Sequence, residues 1–347
     1  YEISECLVGS EMCIRDRQIT DYDDGYNLYR MNVQYDYSLD RVIAYGITDN
    51  QTMLDAILKE ALPLLPVSMK VPNYGCTAFT LTDTDGSVHM GRNYDFKRDT
   101  SAMLVYCAPK DGYRSVAFAA LDNVSANIPD ESLKKKLATL TAPFICLDGM
   151  NEKGVSIAVL TLDSEPVHQN TGKPTIATTL AIRLVLDRAA TTEEAVQLLS
   201  SYDMFASSGR DYHFYITDAS GDGRVVEYDC EKETRPLVAT PMEAITNFYG
   251  LYRDKVLPNQ RNGIYGHGRE RYDAVMKVLE EKAEGYTNDT VWDALKASSQ
   301  EPNPVDITSN TQWSIAYNNT GLTAEIVIRR HWDEIISYFL SQNDVTR

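Results

Sequence analysis

The order in which strand-like and helix-like patterns follow one another constrains this chain most. Short apolar runs predict strands at 76–81, 88–90, 103–107, 115–120, 155–162, 213–217 and 224–228, and a closing set at 313–317, 322–328 and 336–340. Helical spacing is grouped at 176–188, at 192–199 with Thr191 or Thr192 as cap, at 271–282 and at 291–297. Strands in clusters with helices grouped between them do not make strict βαβ alternation, so a layered α+β architecture is expected rather than a doubly wound sheet. A chain of 347 residues, 43% apolar and 24% charged, can build one large core or two smaller ones.

The first 17 residues, YEISECLVGSEMCIRDR, carry neither a helical nor a strand period and look like translated sequencing-adapter sequence, so they are read as a non-native tail. Setting them aside removes Cys6 and Cys13. On that reading the native N-terminus, with any signal peptide or anchor, is missing, and an exported or membrane-anchored location is expected ahead of a cytoplasmic one. The segment 21–40 is dense in Tyr and Asp, and Tyr22, Tyr26, Tyr29, Tyr35 and Tyr37 are expected to pack an amphipathic surface. It leads into a helical pattern, Met53, Ile57, Leu58, Ala61 and Leu62, that Pro63 and Pro66 end. Residues 18–75 thus read as an N-terminal subdomain and 76–347 as the main domain.

Charge and motif content exclude several classes. Lys and Arg total 33 against 50 Asp and Glu, a formal net charge of -17 with no basic run, so nucleic acid is not an expected partner. No stretch approaches the roughly 18 consecutive apolar residues of a membrane span. The sequence has no HExxH and no GxSxG; GHGRER at Gly266 lacks the third glycine of a phosphate-binding loop. Five histidines, His89, His168, His213, His267 and His331, lack metal-ligand spacing, and His213 reads as a structural residue opening a strand. DTDG at Asp83 has no closing Glu and reads as a hairpin turn, not a calcium loop. No metal and no cofactor is expected. Six cysteines without a CxxC pair exclude a disulfide scaffold; Cys107, Cys146 and Cys230 read as core fillers in apolar strand contexts. Asn151 and Glu152 read as a polar turn with Gly154 at its bend.

What remains is YGCTAF followed by GRNYDF, joined through TDTDG. A hairpin here brings Cys76, Arg92 and Asp95 to one end, where a cation lowers a thiol pKa and a carboxylate orients an amine. The residues alone leave two readings open, a surface turn with a half-buried Cys or a reactive thiol site.

YGCTAF with GRNYDF, DGMNEKG at 148–154, YHFYITDASG at 212–221, AITN at 244–247 and GRERYD at 268–273 together resemble the choloylglycine hydrolase family, in family order over roughly 75–317. These linear-amide hydrolases, bile-salt hydrolases and penicillin V acylases among them, are N-terminal-nucleophile enzymes. The resemblance implies a four-layer αββα sandwich. It also implies Cys76 as nucleophile, Arg92 and Asp95 as the Arg and Asp of the RNxD strand, Asn247 as an oxyanion donor and Arg271, or its neighbour Arg269, as the late Arg. Bile-salt hydrolases carry Asn where this chain has Thr161, so a second oxyanion contribution would come there from a hydroxyl or a backbone N–H. In such enzymes the nucleophile's own α-amine is the base, so Cys76 must be freed by cleavage after Gly75, making 18–75 a propeptide that stays docked. The substrate class implied is an N-acylated amino acid, conjugated bile acid or N-acyl lipid. The rivals are an acyltransferase or ceramidase-like enzyme using the same thioester, and a catalytically silent binding protein of the same fold. A homo-oligomer is a family tendency.

Overall fold

The computed structural model describes residues 17–33, 35–61, 75–207, 209–261, 263–305 and 309–346. The sequence-predicted tail, Arg17 excepted, and the end of the helical pattern at Leu62–Pro66 lie outside these residues. The N-terminal part holds β1 (Arg17–Gln18), β2 (Leu28–Asn32), α1 (Leu39–Ala44) and α2 (Asn50–Ala61). It is followed by β3 (Gly75–Thr82), β4 (Val88–Asp95), β5 (Ala102–Cys107), β6 (Ser115–Ala120), α3 (Leu133–Ala138), β7 (Asp148–Asn151) and β8 (Ser156–Leu162). Next come β9 (Thr175–Ala177), α4 (Thr178–Arg188), α5 (Thr192–Ser200), β10 (Asp203–Phe205), β11 (Asp211–Thr217), β12 (Arg224–Tyr228), β13 (Leu237–Pro241) and β14 (Ala244–Ile245). Two helices, α6 (Arg269–Glu281) and α7 (Asn288–Ser298), precede β15 (Thr311–Asn318), β16 (Thr323–Ile328), β17 (Ile336–Phe339) and β18 (Asp344–Thr346).

Among the described residues these strands form a nine-stranded sheet, β1-β2-β5-β6-β7-β8-β11-β12-β13, and a seven-stranded sheet, β14-β3-β4-β15-β16-β17-β18. The sheets meet face to face, β3 lying against β8 and β11. Helices α4 and α5 cover the outer face of the larger sheet, and α6 and α7 cover the outer face of the smaller. The result is a helix–sheet–sheet–helix sandwich. Because inner strands are buried on both faces, β6 (SVAFAA) and β8 (SIAVLTL) read as unbroken apolar runs and lack the alternation of a half-exposed strand.

Several boundaries move for local reasons. Residues 175–177, at the start of the predicted helix 176–188, are a strand paired in parallel with 203–205, and the helix begins at Thr178. Thr191 caps α5, its hydroxyl accepting from the Glu194 N–H. Cys107 is buried in β5, whereas Cys146 follows a 3-10 turn, and Cys230 is half-buried beyond the end of β12, so the last two do not sit in strands. Gly154 holds φ +78 at the bend, with Asn151 Oδ1 accepting from the N–H groups of Lys153 and Val155.

The N-terminal segment is docked through the sheet. β2 pairs in parallel with β5, Leu28 opposite Ala102, and Leu28, Met31, Leu39, Val42, Ile43, Ile47, Met53 and Ile57 all enter the core. Its tyrosines point inward as much as outward: Tyr29 is buried, the Tyr35 hydroxyl donates to Leu140 O at 2.6 Å, and the Tyr37 hydroxyl donates to Asp187 at 3.1 Å. No helix among the described residues is long and apolar enough to cross a membrane.

Candidate active site

The hairpin of β3 and β4 sets the frame. Asp83 Oδ1 accepts from the N–H groups of Asp85 and Ser87, and Gly86 takes φ +91, so TDTDG closes the turn as its residue types require. The register then puts Cys76 opposite Tyr94, Gly75 opposite Asp95 and Ala78 opposite Arg92. Cross-strand partners share a face and neighbours along a strand alternate, so Cys76 and Arg92 face the partner sheet while Asp95 faces the helical layer. The three share one end of the hairpin, divided between its faces.

On the inner face, Arg92 is fully buried. Its Nε donates to Asp148 Oδ2 at 3.2 Å and its two terminal nitrogens donate to Asn93 O and Val159 O at 3.0 and 2.9 Å. Asp148, at the start of β7, also accepts from Tyr317 Oη at 2.6 Å and Trp313 Nε1 at 3.2 Å. Burial raises the Asp148 pKa, and the Arg92 charge opposes that rise. The Cys76 thiol lies in the same enclosed space. Burial pushes it up to about 11, with Arg92 pulling the other way, so the uncut chain holds a neutral thiol at pH 7.

On the outer face Arg271, in the first turn of α6, links the other elements. Its Nη1 donates to Cys76 O at 2.5 Å and lies 3.5 Å from Asp95 Oδ2, and its Nη2 donates to Asn247 Oδ1 at 2.7 Å. Asn247 Oδ1 also accepts the Cys76 N–H at 2.6 Å, while Asn247 Nδ2 donates to Thr161 O at 2.8 Å. Asp95 is further held by Thr311 Oγ1 at 2.6 Å and Gln300 Nε2 at 2.8 Å; burial raises its pKa, and Arg271 counters the rise. The Thr161 hydroxyl is buried with no hydrogen-bond partner. Arg269 is elsewhere: its side chain bonds Asp273 and Arg253 O, part-exposed. Two arginines and two carboxylates thus balance around Cys76, as buried charge requires. Among the described residues no three His, Cys, Asp or Glu side chains are grouped to hold a metal.

Sequence reading passed over two contributors. Asp148 was visible only as part of DGMNEKG, yet it neutralises Arg92. The GHG of GHGRER serves the site sterically: a Cβ on Gly266 would stand 2.1 Å from Asn247 O, and one on Gly268 would stand 2.3 Å from Arg271 Nη2. Both glycines take positive φ; of this the sequence shows only the G-x-G spacing just ahead of a helix that starts with arginine. A cavity of about 270 Å³ lined by Asp163, Ser164, Glu165, Gly209, Arg210 and Gly263 opens just past the end of β8, two residues beyond Thr161.

Comparison with known proteins agrees with this frame. A family model described as linear amide C-N hydrolases, choloylglycine hydrolase family, matches residues 76–234, starting at the cysteine. Among solved structures, one variant of the conjugated bile acid hydrolase from Clostridium perfringens is similar with a TM-score of 0.56 at 15% identity, covering 78% of this chain and 95% of that one. A second variant of the same hydrolase gives the same TM-score and identity and covers 96% of its own chain. Penicillin V acylase from Agrobacterium tumefaciens is similar with a TM-score of 0.51 at 18% identity, covering 73% of this chain and 83% of that one. No curated protein sequence matches. The family match over residues 76–234, together with the shared fold, makes the chain similar to the choloylglycine hydrolase family of linear amide C–N hydrolases.

Proposed function

We propose that the chain hydrolyses a linear amide of an N-acylated amino acid or conjugated bile acid, with Cys76 as the nucleophile after cleavage between Gly75 and Cys76. The observation that carries this reading is the ring of bonds converging on Cys76: Asn247 on its N–H, Arg271 on its carbonyl, and Arg92 on the thiol face. In the uncut chain the Cys76 nitrogen is an amide and cannot accept a proton. Cleavage converts it to an amine with an ordinary pKa near 8, and places a new ammonium across the hairpin from Asp95, the residue opposite Gly75.

The reaction then runs in two halves. The α-amine takes the thiol proton as sulfur bonds to the substrate carbonyl carbon, giving a tetrahedral oxyanion. The resulting ammonium returns that proton to the leaving nitrogen as the C–N bond breaks, leaving a thioester. Water, deprotonated by the same amine, attacks the thioester and releases the acid. Asn247 Nδ2, now on Thr161 O, is the donor for the oxyanion, a role in which removal of one donor costs about 100- to 1,000-fold in other hydrolases. The buried Thr161 hydroxyl is a second candidate donor. Arg271 holds Asn247 Oδ1, which turns the amide N–H group away from the arginine and towards β8.

The test is release of glycine or taurine from conjugated bile acids and of the side-chain acid from penicillin V by the purified protein. Turnover of at least one probe that Cys76→Ala abolishes supports the reading. Turnover that survives Cys76→Ala removes the cysteine from the mechanism. Transfer of the acyl group to added amines in place of water would instead favour the acyltransferase reading.

A further inference from the structure

Asn247 sits near the start of the long connection between β14 and α6, whose one regular piece is a 3-10 turn at Gly250–Lys255, yet its side chain has to hold one direction. Two buried residues on the opposing sheet brace that connection. His213 on β11 lies one position beyond the paired Phe214 and Val226, which sets it across from Glu227 on β12. Both side chains are completely buried, with His213 Nδ1 3.5 Å from Glu227 Oε2. His213 Nε2 is 2.9 Å from Thr246 O, the residue before Asn247. A carbonyl only accepts, so Nε2 carries the proton. The two oxygens of Glu227 accept the N–H groups of Gly250 and Leu251 at 2.9 and 2.7 Å, three and four residues after Asn247. Thus one cross-strand pair grips the main chain on both sides of the residue.

We propose that His213 and Glu227 form a positioning pair that fixes the main chain around Asn247 and so aims its amide at the reacting carbonyl. The inference rests on the reading that Asn247 serves the reaction, and it adds two residues that touch neither Cys76 nor substrate. The chemistry favours a carboxylate at 227. It satisfies two adjacent main-chain donors at once, whereas a glutamine has one accepting oxygen and would present an NH2 group to the other N–H. A histidine at 213 supplies a donor at fixed reach while remaining inside the sheet.

The test uses the full chain and four single variants: Asn247→Ala, Glu227→Gln, His213→Gln and, as a control for lost packing on the same strand, the core variant Val226→Ala. It also uses the double variant Asn247→Ala/Glu227→Gln. Three quantities are read: kcat and KM for glycine-conjugated bile acid and penicillin V, the rate of splitting between Gly75 and Cys76 by intact mass, and the thermal midpoint. The pair predicts that Glu227→Gln and His213→Gln lose about 10-fold or more in kcat and in splitting rate with KM changed less than about threefold. Val226→Ala lowers the thermal midpoint without that loss, and the double variant is no slower than Asn247→Ala alone. Glu227→Gln with unchanged kcat and splitting, beside an impaired Asn247→Ala, overturns the pair's role and leaves the site reading standing. A double variant whose losses multiply overturns it too. If Asn247→Ala is itself unimpaired, or if the unmodified chain neither splits nor turns over either probe, the site reading falls and the pair's role with it.

Discussion

Gly266→Ala probes how closely the backbone packs behind the site. Gly266 takes φ +103, and a Cβ there would stand 2.1 Å from Asn247 O and 2.5 Å from Phe248 Cα. Both are main-chain atoms, so relief comes only by moving the connection that carries Asn247, by about 1 Å, a displacement that costs about 100-fold in rate when it falls on a reacting group. At 1.36 kcal/mol per decade this is about 2.7 kcal/mol of barrier, the size expected from losing one oxyanion donor. The substitution also carries the strain of a side chain in the left-handed region, about 1–2 kcal/mol. Gly86→Ala separates the two: φ is +91 there and nothing lies within 4 Å of the added carbon. Both variants should lose a few degrees of thermal midpoint. Only Gly266→Ala should lose kcat, measured on bile acid conjugates and penicillin V beside the splitting rate at Gly75–Cys76. A Gly266→Ala rate within about threefold of the Gly86→Ala rate would refute the claim that Asn247 placement limits the reaction.

Four other outcomes follow from the same geometry. Asp148→Asn leaves the Arg92 guanidinium buried without its counter-charge and should cost about 3–5 kcal/mol of stability, read by chemical denaturation; a smaller loss than about 1 kcal/mol would show that Arg92 does not depend on it. The Cys76 thiol has a folded pKa of about 11 against an ordinary 9.0, because burial disfavours the thiolate. Below the ordinary value both states are protonated; as pH rises from about 9 to 11 the unfolded chain ionises first, so stability of the uncut chain should fall across that window, and less so in Cys76→Ala. Alkylation of Cys76 should accelerate at lower pH once the chain is cut. Ten buried side chains among the described residues of the N-terminal segment enter the core beside a parallel strand pair, so cut protein should elute as one species under native conditions and separate only in denaturant. Early dissociation of the segment without denaturant would contradict that docking.

The longer strands and helices of the main domain were legible because they are buried on two faces or one, which leaves apolar runs or a helical period in the sequence; the short elements β7, β9, β10, β13, β14, β18 and α3 span too few residues to show a period and were not. The hairpin was legible for the same reason, its turn being built from Asp and Gly. Pairings between distant segments were not: nothing in LYRMN at 28–32 announces a parallel partner at 102–106. Asp148 could not be matched to Arg92 from spacing, since 56 residues and a sheet-to-sheet contact separate them. The resemblance left Arg269 and Arg271 as alternatives; geometry separates them, because a helix start places only one of two residues with i, i+2 spacing against Cys76. The Gly266 and Gly268 requirement depends on how near two other segments come, which composition does not carry.

The most direct test of the central claim is intact mass with N-terminal sequencing of the purified chain, made without residues 1–17, beside Cys76→Ala. The account predicts two fragments dividing between Gly75 and Cys76, the larger beginning at Cys76, and no division in the variant. A single uncut chain that nevertheless hydrolyses amides, or fragments that begin at any other residue, would contradict it.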